Sequence, residues 1–243
     1  MLGKLKKSKF NLSKKQLYLI FPIFSFHLIG IISSLLRPKS GVEISLPLHL
    51  LRFFSWWSVH ASILTILAVI LIWRERKTTS PYFLQILVLV ATLYNLVTLC
   101  FISAYFLTGK IKSYGFWLDL QLSSWHFVAP FLTIFYFYFY AQIDKLKEKL
   151  VKTLLLTLIF PFFYFFYTFT LAKIHRGDSK SSLFPYMEKY PYFIFEWITE
   201  RKWYWLIINL LIASFILTLL CFLIILTKAI YDNRKVKSRK IFG

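Results

Sequence analysis

The sequence predicts an all-α, polytopic membrane protein, and three observations carry that prediction. Of 243 residues, 58% are hydrophobic and 21% aromatic while only 16% are charged, more apolar surface than one soluble core can hide. The apolar residues gather in six runs, each near the ~20 residues a helix needs to cross a bilayer. Lys and Arg alternate in density between the runs, with nineteen on one side and eleven on the other. By the positive-inside rule both termini are cytoplasmic and the protein is a multi-pass resident of the cell membrane.

The elements follow in order. Residues 1–15 form a basic cytoplasmic tail with six lysines and no acid. A first helix is expected over about 16–36. It resembles a secretory signal, but its apolar run is longer than such a segment and passes into Leu36-Arg37-Pro38 without a small-residue cleavage site, so it reads as uncleaved. Further helices are expected over about 50–73, 82–107, 116–140, 150–171 and 203–231, with a second basic tail over 232–243. The transmembrane domain is thus 16–231. Phe131 to Tyr140, FLTIFYFYFY, alternates like a strand, yet a lone strand leaves its backbone unsatisfied in lipid, so helix is predicted there too.

Residues 172–202 are too charged at their start to span and too aromatic at their end to be a free linker. Tyr190, Tyr192, Phe193, Phe195 and Trp197 suit the membrane interface, and the segment is expected to lie there, as an anchor or as a lid.

Composition also excludes function classes. The net charge of +20 is spread over short connectors, a pattern of membrane orientation and not of a nucleic-acid-binding face. Cys100 and Cys221 both lie in apolar runs and read as packing residues. His27, His60 and His126 are all embedded, but no paired spacing of metal ligands occurs. Neither metal nor cofactor is called for; the partner implied is membrane lipid, with protein partners unspecified.

The stretch Asp119 to Thr133, DLQLSSWHFVAPFLT, places a histidine inside an apolar run. At helical spacing Asp119, Ser123, His126, Pro130 and Thr133 share a face while Trp125, Phe127 and Phe131 point elsewhere. An ionisable group at that depth marks a candidate functional site. Ser55 is expected roughly 8 Å below the outer end of the second helix and His126 roughly 10–15 Å below that of the fourth. Asn209, Tyr164, Tyr167 and Asn95 fall in the same half, and His60 turns away from Ser55. In the fifth helix Pro161 leaves the carbonyl of Thr157 without its intrahelical donor.

A hydroxyl and an imidazole on neighbouring helices are the ingredients of base-assisted nucleophilic attack on an ester. Ser55 is the first choice of nucleophile, Ser58 the second, and His126 the base. No G-x-S-x-G occurs, and Gly30 is the only glycine well inside a span, so Asn95, Asn209 or Tyr167 is expected to stabilise the oxyanion, with Ser123 and Tyr164 as supporting groups. The same polar residues also fit a lipid-binding or transport protein without covalent chemistry. Close helix packing in a structural membrane subunit is the plainest alternative.

Arg52-Phe-Phe-Ser55-Trp-Trp-Ser58, Tyr94-Asn95, His126-Phe-Val-Ala-Pro130, Tyr164-Phe-Phe-Tyr167-Thr168 with Arg176-Gly177, and Tyr190-Pro191-Tyr192 occur in an order and spacing that resembles a six-helix family. It is similar, over about residues 45–230, to the androgen-induced-gene and ADTRP-like membrane proteins and their bacterial relatives. The resemblance implies a hydrolase of fatty acid esters of hydroxy fatty acids, with the nucleophile at Ser55, where the family carries Thr, and the base at His126. The Asn that bacterial relatives often carry after the second-helix motif is replaced by Ala61-Ser62.

Overall fold

Long runs of Leu, Ile, Phe and Val satisfy their backbone only within themselves when no water is at hand, and helix is the form that does so. A computed structural model describes residues 14–36, 50, 53–54, 56–75, 81–107, 123–174 and 203–242, and among them every regular element is a helix. In chain order these are α1 (Lys14–Leu35), α2 (Trp57–Arg74), α3 (Tyr82–Leu107), a π turn at Ser124–Val128 running into α4 (Ala129–Tyr140), the short α5 (Asp144–Glu148), α6 (Leu150–Ile174) and α7 (Trp203–Phe242). Five of them, α1, α2, α3, α6 and α7, are long and apolar enough to cross a membrane, the pattern of a multi-pass membrane protein. Of the expected fourth span, 123–140 is described, and 116–122 lies outside the described residues. So do 1–13, most of the expected interfacial segment, and Ser55 and Asp119.

Two boundaries differ from the hydropathy reading. Helix α2 starts only at Trp57, because Trp56 is extended (φ −86°, ψ 125°) and interrupts the helical backbone present at Phe53 and Phe54. Helix α7 runs past Tyr231 to Phe242; Lys and Arg are good helix formers, and Lys228 pairs with Asp232 one turn on, 2.6 Å apart.

Helix α3 is the hub and touches α2, α4, α5, α6 and α7, while α1 packs against α2 and α4, and α6 and α7 pack on each other. Polar ties fix these contacts. Trp57 Nε1 and Thr98 Oγ1 both donate to the carbonyl of Tyr94, at 3.1 and 2.9 Å. The Tyr94 hydroxyl reaches the carbonyl of Thr157 at 3.4 Å, the acceptor that Pro161 leaves without its ladder partner. Gln85 on α3 accepts the backbone N–H of Lys145 at 3.1 Å and so caps the first turn of α5. Tyr138 and Thr227 share a 2.7 Å hydrogen bond that ties α4 to α7.

Candidate active site

Proline lacks the N–H that a helix uses one turn back, and its ring crowds the carbonyl four residues earlier. For Pro130 that carbonyl belongs to His126, and the chain answers with a wider turn: Ala129 N–H bonds to the carbonyl of Ser124, and His126 sits in the middle of the π turn. Such single-turn insertions recur at functional sites. The extra residue shifts the helical phase. Trp125, which regular spacing turns away from the face of Ser123 and His126, is buried, while Ser123 is exposed.

The inward indole of Trp125 lies flat against α1 at Gly30, where a Cβ would overlap its ring atoms Cγ, Cδ1 and Cδ2. Its N–H donates to Ser62 Oγ at 2.8 Å. Ser62 Oγ is 2.9 Å from His27 Nδ1, and His27 Nε2 is 3.2 Å from Thr133 Oγ1. Thr133 spends its own proton on the carbonyl of Ala129 at 2.9 Å, so His27 Nε2 is the donor to Thr133. The neutral ring then accepts from Ser62 at Nδ1. Ser62 and His27 are each 1% exposed. They have the spacing of a nucleophile and its base, but the lone pairs and protons are spent on neighbours, and both side chains are buried. This is a structural network, centred on a histidine that the sequence marks only as embedded.

The interruption before α2 makes the second irregular point. It frees carbonyls that a continuous helix would use, and His60 Nε2 donates to one of them, that of Phe54, at 2.7 Å. The rest of the His60 ring packs on Phe160 and Tyr164 of α6, with centroids 5.0 and 5.4 Å away. Tyr164 is buried and also meets Trp57 edge-on at 5.0 Å. Phe53, on the far side of the interruption, forms a small core with Val59 and Trp125, and Trp56 packs against it. The broken start of the second span and the π turn of the fourth therefore abut.

His126 is half-buried, stacked on Trp125 with centroids 4.7 Å apart. It makes no hydrogen bond among the described residues. Ser58 is buried in the first turn of α2. Asn95 is brought to Thr65 and not to His126: its amide donates to Thr65 Oγ1 and to the carbonyl of Ala91, both at 2.8 Å, which leaves no proton for an oxyanion. Tyr167 is half-buried on α6, and the side chain of Asn209 lies outside the described residues. A cavity of about 20 Å³, room for one water, lies at the other end of the bundle between Glu75, Gln85, Tyr136 and Gln142.

Two features escaped the linear reading. The π turn had a signal, Pro130 four residues after His126. The interruption at Trp56 had none, since neither Gly nor Pro lies between Leu51 and Val59. No family model, curated protein or solved structure matches the chain.

Proposed function

We propose that the chain is a six-span integral membrane protein of the cell membrane, both termini cytoplasmic, that hydrolyses a lipid ester with Ser55 as nucleophile and His126 as base. One observation carries this reading. Phe53 and Trp56, which flank Ser55 in sequence, pack against Trp125, the neighbour of His126, so the irregular points of the second and fourth spans meet. Non-helical backbone at membrane depth is tolerated where it is buried in protein or lines a cavity, and broken spans are recurrent places for ligand sites.

In the reaction Ser55 Oγ attacks the ester carbonyl carbon while His126 takes the hydroxyl proton. The tetrahedral oxyanion is met by the backbone N–H of Ser58 at the start of α2, where a helix has donors to spare. Collapse breaks the bond to the alcohol, which leaves with the proton held by His126. Water, deprotonated by His126, then cleaves the acyl-serine and returns the enzyme to its starting state. The buried Ser62–His27 pair takes no part.

Labelling of the purified protein by a fluorophosphonate tests this assignment. Wild type and Ser62→Ala should label, whereas Ser55→Ala and His126→Ala should lose at least about 100-fold, the scale of removing a nucleophile or general base. Labelling that survives both of the latter changes would overturn the hydrolase. If Ser55→Ala then also kept its co-purifying lipid, a non-enzymatic lipid-binding or transport protein would replace it.

A further inference from the structure

A tyrosine at the first turn of a membrane helix usually turns its hydroxyl to water, but Tyr82, which opens α3, is held from beneath. Its hydroxyl is 3.0 Å from Thr153 Oγ1, and Thr153, wholly buried, donates its own proton to the carbonyl of Leu146 at 3.4 Å. The ring is therefore pinned between α3 and α6. Two ammonium groups approach it, Lys149 Nζ at 5.2 Å and Lys152 Nζ at 6.0 Å from the ring centroid. Both side chains are exposed, and neither meets a carboxylate among the described residues: Asp144 pairs with Lys147 at 3.4 Å, and Glu148 holds no cation. Each ammonium therefore keeps a charge that an anion brought to this ring can pair with.

The place indicates which anion. The apolar spans of α3 and α6 begin at Tyr82 and Leu150, so the two lysines stand level with the start of the hydrocarbon, at the depth of lipid phosphates. We propose that Lys149, Lys152 and the Tyr82 ring form a site for the phosphodiester of an anionic phospholipid. A zwitterionic head group carries its own ammonium and gains less from two more; an anionic one gains from both. The site lies at the opposite end of the bundle from His126 and does not depend on the hydrolase reading.

The full chain, reconstituted in phosphatidylcholine vesicles with an equal share of phosphatidylglycerol and then extracted, reports the site by the lipids retained in native mass spectrometry. Phosphatidylglycerol should be retained about 30-fold over phosphatidylcholine, the value for two lysines each contributing near the membrane surface. Lys149→Gln with Lys152→Gln should bring the ratio close to one, and Lys149→Arg with Lys152→Arg should restore it. Lys15→Gln with Arg234→Gln, which removes the same charge from two exposed positions on other helices, should leave it unchanged. An equal loss in that control, or displacement of the lipid by inorganic phosphate at matched concentration, would overturn the assignment.

Discussion

Helices α2 and α3 bury 50% and 56% of their apolar windows, whereas α6 and α7 bury 22% and 17%. Hydropathy does not separate the two groups, for α7 is the most apolar of all at 2.9 and α2 the least at 1.6. Polar contacts between helices concentrate in the first four. Helices α1 to α4 enclose His27, Ser62, Thr65, Asn95 and Thr133, each 6% exposed or less, and each of these finds a partner on a neighbouring helix. Helix α7 turns Leu211, Phe215 and Ile212 outward, more than half exposed. In lipid an apolar side chain gains nothing from leaving acyl chains for another helix, so close packing and polar contacts hold helices together. The polar contacts that hold this fold together are thus densest among α1 to α4.

That contrast can be broken first at Gly30. Gly30→Val drives methyl groups into the Trp125 ring and should destabilise by about 3 kcal/mol, the upper range for overpacking. Reversible unfolding in mixed micelles reads this, and a cost below about 1 kcal/mol would mean that the indole can move aside. His27→Leu should cost about 2 kcal/mol by stranding two hydroxyls in a dry interior. A double-mutant cycle with Ser62→Ala should return a coupling of about 1 kcal/mol, and no coupling would dissolve the network. At the far end of the scale, Phe215→Ala on the outer face of α7 should change stability by less than about 0.5 kcal/mol. A larger loss there would mean that protein, and not lipid, covers that face.

The helices were legible because hydropathy alone specifies a span; the site was legible only in part. Pro161 announces that the carbonyl of Thr157 needs a donor, but nothing in the chain names Tyr94 as that donor, because the pairing spans 63 residues. Regular helical phase misplaced Trp125, since spacing rules assume the turn that Pro130 disrupts. Gly30 stands out in the sequence as a glycine well inside a span, but only the fold shows that it makes room for the Trp125 ring. His27 became the centre of a network through two neighbours, Ser62 and Thr133, that come from different helices. Pairings between helices depend on rotation about each axis, and residue order does not encode that angle.

The hydrogen bonds from Trp125 through Ser62 and His27 to Thr133 and the carbonyl of Ala129 all run in one direction. At one terminus stands an indole that does not release its proton, and at the other an amide oxygen that does not take one. Such a string is blind at both ends. It holds its polarity as a fixed dipole across three helices and has no end from which a proton could be passed on.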